Sequence, residues 1–418
     1  MQIYLETLGC RLNAAETEML ARRFAGAGCV VVDAPDDADI IVLNSCAVTA
    51  QAARKSRHRV HTLHHRHPKA RMAVVGCWAT EDVVHTSQIP GVAWAIPNVD
   101  KARAVEIIAG VDAAPAAWGP GRWGHTRAFL AVQDGCDHAC TYCVTRVLRG
   151  PARSRPLDGV LSAVHALAAQ GAQEVVLTGV SLGAYGHDVG LESGLATLVA
   201  AILRETGVPR LRLSSVEPWD VDESLVALWD NPRLCRQLHV PLQSGCDAVL
   251  KRMGRRNTTV QFTALVDAVR AVSPDIAITT DVIVGFPGET ETDFAASLDF
   301  VGRMAFARLH VFPYSERPGT PATRLPHPIP AAARAERAAQ MRTLGEQLAA
   351  DYRLCFIGKT LPVLWEQQDG AGYWHGLTDN YLEVLTQSEA DLYNRILPAR
   401  LMASDNAGIV CGEIVASG

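Results

Sequence analysis

The sequence predicts an α/β protein with an amino-terminal parallel α/β domain, a second α/β run forming a partial barrel or an open sheet, and a small antiparallel β-barrel at the carboxyl end. Three observations predict it. Over residues 1–110 short apolar runs alternate with amphipathic stretches, the rhythm of a parallel sheet covered by helices. Residues 127–313 repeat that rhythm. From 356 to 418 it gives way to short β-rich runs separated by turn signals. At 418 residues the chain also exceeds one ordinary domain of about 150 residues.

In the first domain, residues 1–112, strands are expected at Ile3–Leu8, Val30–Val32, Ile40–Leu43 and Met72–Val75, with helices starting near Asn13 and Thr49. Pro and Gly between 112 and 126 break both periodicities and predict an interdomain linker. The central domain, 127–350, carries six expected strands: Phe129–Val132, Val175–Leu177, Leu211–Leu213, Leu238–Val240, Ile276–Val284 and Arg308–Phe312. Prolines from Pro318 to Pro330 then punctuate the chain, and Ala331–Leu354, rich in strong helix formers, reads as one long helix. It leads into the last domain, 356–418, where Leu361–Trp365 and Tyr381–Leu385 are candidate strands.

Hydrophobic residues make up 48% and charged residues 20%, the balance of a soluble globular protein, and no run of about 18 apolar residues is free of charge, so no membrane-spanning helix is expected. Met1–Glu6 lacks the basic start and apolar run of a signal peptide, which predicts a cytoplasmic protein. There the 11 cysteines read as metal ligands or redox groups rather than a disulfide framework. A net charge of -5 excludes a generally polybasic nucleic-acid binder, so any RNA contact relies on local patches.

Cys136, Cys140 and Cys143 form CxxxCxxC directly after an expected strand, where about 0.008 such triplets would arise by chance. Structural zinc needs four closing ligands, and this loop offers three thiolates with His138 as the nearby fourth. Three thiolates on a four-iron cluster leave one iron open for chemistry, which is the preferred reading. Cys10, Cys46 and Cys77 are far apart in sequence, but each follows an expected strand. In a parallel sheet those carboxyl ends share one edge, so the three thiolates can converge, with Gly9 and Gly76 allowing close backbone approach. The competing reading is three buried cysteines acting as small hydrophobes. Cys29, Cys235, Cys246, Cys355 and Cys411 are assigned to packing.

The loop Gln133–Cys143 resembles the cluster loop of radical S-adenosylmethionine enzymes, and with Cys10, Cys46 and Cys77 the chain resembles the methylthiotransferase family over nearly its whole length. Further matches are Leu177–Gly179, Arg212–Pro218, His239–Gly245, Asp281–Thr290 and His310–Ser315. The resemblance implies a methylthiotransferase domain, a partial (β/α)6 barrel and a carboxyl-terminal TRAM barrel. It implies two [4Fe-4S] clusters, on Cys10/Cys46/Cys77 and on Cys136/Cys140/Cys143, with S-adenosylmethionine bound at the open iron of the second. Leu5–Asn13 and His310–Ser315 are most similar to the branch that methylthiolates carbon 2 of N6-threonylcarbamoyladenosine beside the tRNA anticodon. The alternatives are the branches acting on isopentenyladenosine of tRNA or on a ribosomal-protein aspartate.

The same resemblance assigns Tyr142, Gly179, Glu217, Gln243 and Gly285 to the cofactor, each beside a cluster ligand or at the end of a barrel strand. The implied partners are tRNA and a low-potential electron donor such as a flavodoxin or ferredoxin. Arg149, Arg153 and Arg155, then Arg255 and Arg256, lie in two basic clusters expected to contact phosphates. Arg54–His67 carries five histidines, with His58, His61 and His65 on one helical face, and reads as a solvated or RNA-facing helix rather than a metal site. Two features depart from the family: Arg146 and Ala152 stand where it commonly has Pro and Glu, and residues 356–418 hold three basic residues against eight carboxylates. RNA contact by that last domain would be narrow, through Tyr373, Trp374 and Tyr381 stacking on bases, or the domain mainly docks on the barrel. From a different class, an iron–sulfur electron carrier or a non-catalytic RNA-binding protein would also fit two clusters or a basic patch, but a carrier needs no cavity.

Overall fold

The computed structural model describes residues 1–122, 125–191, 193–404 and 408–415. Residues 123–124 of the expected linker, and 405–407 and 416–418 of the last domain, lie outside the described residues. The chain forms two compact units, one of residues 1–153, 178–180 and 315–323, the other of the remainder.

The first unit is built on five parallel strands, β1 (Gln2–Thr7), β2 (Val30–Val32), β3 (Ile40–Ser45), β4 (Arg71–Gly76) and β5 (Val92–Ile96), in the order β2-β1-β3-β4-β5. Every residue of β3 is buried, because both faces of the sheet are covered. Ile41 and Leu43 join Val60 and Leu63 of helix α2 (Ala50–Arg66) in one core. Ile40 and Val42 join Leu20 and Phe24 of helix α1 (Arg11–Gly26) in the other. The four expected strands are present, and β5 is a fifth that sequence patterning missed. The expected linker is laid along α1: Ala116 and Arg22 exchange backbone and guanidinium hydrogen bonds of 2.8 and 2.9 Å, and Trp118 is buried.

In the second unit Glu174–Thr178 pairs in parallel with Arg210–Leu213, and Gln237–His239, Ala277–Val284 and Arg308–Pro313 form a three-stranded parallel sheet. Bridges Leu211–Leu234 and Ser215–His239 link the two groups. The helix expected at Ala331–Leu354 has those bounds. Beyond it five strands, Thr360–Gln368, Tyr373–Thr378, Glu383–Gln387, Arg395–Ser404 and Val410–Ile414, close into a small barrel. One pair, Glu383–Gln387 with Val410–Ile414, runs parallel; the others are antiparallel.

That barrel is fixed to the amino-terminal ends of the parallel strands. Arg212 is fully buried, pairs with the equally buried Glu174 at 2.6 Å, and donates to the carbonyls of Thr378 and Asp379. Arg210 donates to Pro362 and Leu377, and Arg236 forks onto Asp379. The stacking role considered for the barrel's aromatics is corrected for two of them: Trp374 is buried in the barrel core, and Tyr381 lies against Arg212, whose guanidinium is 5.0 Å from its ring, while Tyr373 is exposed. No described helix is long and apolar enough to cross a membrane.

Candidate metal centres and cofactor site

Strands β1, β3 and β4 are neighbours in register, Thr7 opposite Asn44 and Ser45 opposite Gly76, so the segments carrying Cys10, Cys46 and Cys77 leave the sheet side by side. Cys10 caps α1, Cys77 opens the short helix α3 (Cys77–Glu81), and Cys46 lies just ahead of α2. The glycines explain the approach. Gly9 and Gly76 have φ of 108° and 98°, and a Cβ on them would lie 2.7 Å from Cys46 Cβ and 2.6 Å from Asn44 Oδ1. Burial, with Cys77 and Cys10 acting in the same direction, pushes the Cys46 thiol up to about 11. Ser56 holds the Cys46 backbone through two hydrogen bonds, and Asn98 Nδ2 lies 3.5 Å from Cys77 Sγ.

The second threesome sits on a folded loop. Cys136 N donates to Gly150 O, Cys143 N to Cys140 O, and the backbone N–H groups of His138 and Thr145 point at Cys136 and Cys143 Sγ, both at 3.4 Å. All three cysteines are half-buried and unbridged. Tyr142 is half-buried between two of them. Thr141 O accepts from Ala322 N. Gly179 is packed on Gln133, where a Cβ would meet Oε1 at 2.9 Å.

Between the two threesomes stands Arg149, at the end of the helix Thr145–Arg149. Its guanidinium reaches Glu16 Oε1 at 2.8 Å, Asp134 Oδ1 at 2.9 Å and Asn13 Oδ1 at 2.8 Å. Asn13 in turn donates to Leu8 O and Ser45 O, the turns that present Cys10 and Cys46. Lys101 is 2.6 Å from Glu16. Burial opposes ionisation of Glu16, but these two cations outweigh it and hold the carboxyl at about 2.

Two of the arginines expected on RNA are therefore corrected. Arg149 is only 3% exposed in its side chain and wholly engaged in this network. Arg255 is likewise buried, bound to Glu217 at 2.6 Å and to Pro241 O, beneath the Trp219 ring. A guanidinium that is buried and already ion-paired is not open to a solvent-borne phosphate. Arg153 and Arg256 are exposed, and Arg155 is half-buried.

In the second unit, Glu217 carries the Arg255 pair, and with burial it raises neighbouring Asp220 to about 7. Gln243 adopts φ 72° and exchanges backbone hydrogen bonds of 2.8 Å with Asp281 and Ile283. Gly285 N donates to Glu289 Oε2 at 2.6 Å. Sequence reasoning missed one constellation: Asp281 Oδ1 lies 3.3 Å from His239 Nε2 and 3.2 Å from His310 Nδ1, with the two imidazoles stacked. The imidazoles outweigh burial and hold Asp281 far below the carboxylate range. Strand alternation, which puts Thr279, Asp281 and Ile283 on one face, was the available signal.

Two family descriptions match: Uncharacterized protein family UPF0004 over residues 2–94 and Radical SAM superfamily over 130–301. The threonylcarbamoyladenosine tRNA methylthiotransferase MtaB of Thermotoga maritima is 37% identical over 396 residues, covering 91% of this chain and 90% of that one. The chain belongs to the radical S-adenosylmethionine methylthiotransferase family. A tRNA-2-methylthio-N(6)-dimethylallyladenosine synthase of a Parafrankia species is 35% identical over 385 residues, 88% of this methylthiotransferase and 78% of that protein. In fold, it is similar to the radical S-adenosylmethionine methyltransferase TsrM of Kitasatospora setae, with a TM-score of 0.57, 14% identity and coverage of 82% and 89%.

The methylthiotransferase is thus a radical S-adenosylmethionine transferase, whose family uses [4Fe-4S] clusters and S-adenosylmethionine, and its donor sets fit. Structural zinc needs four closing ligands, and each threesome offers three thiolates. N–H groups aimed at Cys136 and Cys143 Sγ suit a thiolate-ligated cluster.

Proposed function

We propose that this methylthiotransferase inserts a methylthio group at carbon 2 of N6-threonylcarbamoyladenosine, next to the anticodon of tRNA. The observation that carries the reading is the pair of cysteine threesomes, without a disulfide among them, in one compact unit, braced through Arg149, Glu16 and Asn13. One threesome would serve an electron carrier or a simple radical enzyme; a second held in register beside it serves a reaction that also needs a sulfur source. The threonylcarbamoyl assignment draws on the 37% identity to the MtaB enzyme, with near-complete coverage of both chains, and on the Leu5–Asn13 and His310–Ser315 segments.

Cys136, Cys140 and Cys143 would hold the cluster that binds S-adenosylmethionine, and Cys10, Cys46 and Cys77 the auxiliary cluster. When bound, these groups supply one-electron cleavage chemistry and the transferred sulfur. The protein's own part is placement and exclusion of water. By the family resemblance, Tyr142 and Gly179 would serve the cofactor in the first unit, and Glu217, Gln243 and Gly285 would serve it in the second. Arg153, Arg155 and Arg256 would meet RNA phosphates. The working division is a methylthiotransferase domain at 1–112, a radical domain at 127–350 and a TRAM barrel at 356–418, in a cytoplasmic enzyme fed by a flavodoxin or ferredoxin.

Mass spectrometry of tRNA nucleosides from a deletion strain tests this. The expected result is loss of 2-methylthio-N6-threonylcarbamoyladenosine with its unmodified parent accumulating. Loss of the methylthio group from isopentenyladenosine instead would reassign the substrate.

A further inference from the structure

Helix α2 has a feature that neither cluster chemistry nor packing requires. From Ala50 to Ala70 the sequence holds no acidic residue, in a chain whose net charge is -5. Ala53, Ser56, Val60 and Leu63 face inward at helical spacing, and the solvent-facing half exposes Arg54 and Lys55 near its middle and Arg57 and Arg66 on its two flanks, continued by exposed Lys69. Among the described residues none of these five cations pairs with a carboxylate, whereas Arg59, on the same helix, is taken up by Glu6 at 2.6 Å. Concentrating unpaired like charge on one face costs folding energy through self-repulsion. A surface of this kind is complementary to a polyanion.

We propose that the outer face of α2 is a docking surface for the phosphate backbone of the substrate RNA. This rests on the tRNA reading above and specifies where the RNA is gripped. Position and length support it. The helix starts four residues after Cys46, capped by Thr49, and runs outward from the edge that presents the first cysteine threesome. From Arg54 to Arg66 it spans about 18 Å at ~1.5 Å per residue, long enough to follow several consecutive phosphates of one strand. A nucleotide delivered to the cluster edge would bring its flanking backbone along this face. The surface also supplies the cationic contacts that buried Arg149 and Arg255 cannot.

The test is the fourfold variant R54Q/K55Q/R57Q/R66Q of the full chain with reconstituted clusters, titrated with unmodified tRNA across a range of KCl concentrations. Removing four phosphate contacts should raise Kd at least tenfold near 0.15 M salt and make the slope of log affinity against log salt shallower by about 3. Iron content and thermal unfolding midpoint should match wild type. If the fourfold variant folds poorly, R57Q and R66Q singly should each change the slope by about 0.7 to 0.9. Unchanged affinity and slope would overturn the proposal while leaving the substrate reading intact. So would unchanged tRNA binding with weakened binding of an acidic flavodoxin, which would make the face an electron-donor dock. Failure of wild-type protein to bind tRNA at all would overturn both.

Discussion

Arg149→Met tests the brace between the two cysteine threesomes, because the substitution keeps much of the side-chain volume and removes only the charge and its donors. Glu16 sits at about 2 against an ordinary 4.5, a gap worth about 3 kcal/mol of stabilisation at neutral pH. Lys101 stays 2.6 Å from Glu16 in the variant, so about half of that is kept and ~1.5 kcal/mol is lost. Asn13 Oδ1 also loses its 2.8 Å donor in a buried setting, costing a further ~1 to 2 kcal/mol. The expected loss is about 3 kcal/mol, at the low end of what breaking a buried ion pair costs. The sign with pH follows from the depressed carboxyl. Its stabilisation is complete above 4.5 and disappears as pH falls through 2, so the gap between wild type and variant is widest at neutral pH and narrows in acid. Urea unfolding of both proteins at pH 7 and pH 3 measures this. A loss below about 1 kcal/mol at pH 7, or one equally large at pH 3, would refute the reasoning.

Iron analysis of reconstituted protein should find about eight irons per chain, falling to about four in Cys46→Ala and unchanged in Cys235→Ala, whose sulfur is buried beside Glu174. Arg212→Met strands the buried Glu174 charge and should cost ~3 to 5 kcal/mol in urea unfolding, most of it recovered in a Glu174→Met/Arg212→Met double variant. Glu18, buried on α1, is raised to about 8 by desolvation, so its folded form prefers the proton. Stability should therefore erode as pH rises from 4.5 towards 8, and Glu18→Gln should unfold later than wild type at pH 8.5 but not at pH 5.

Periodicity and cysteine spacing are local properties, and what they encode was legible. The strands of the first sheet, the long helix with its bounds, and the CxxxCxxC loop all depend on residues close in sequence. Strand β5 escaped because Val92–Ile96, though apolar throughout, interleaves Ala93 and Ala95 with its larger residues and is only half-buried, without the consecutive β-branched residues that open β3. The fate of the arginines was illegible for another reason. Arg149 and Arg153 lie in one basic segment and look alike there, yet Arg149 is claimed by Glu16, 133 residues away, while Arg153 remains exposed. A charged side chain is buried only when a distant partner meets it, and composition carries no trace of that partner. The reverse holds for α2, where local sequence already excluded a partner on the helix itself and, among the described residues, the fold brings a carboxylate to Arg59 but to none of Arg54, Lys55, Arg57 and Arg66. Long-range pairing thus separates Arg149 and Arg212, which brace the cluster edge and the carboxyl-terminal barrel, from the α2 cations that the proposal above assigns to RNA.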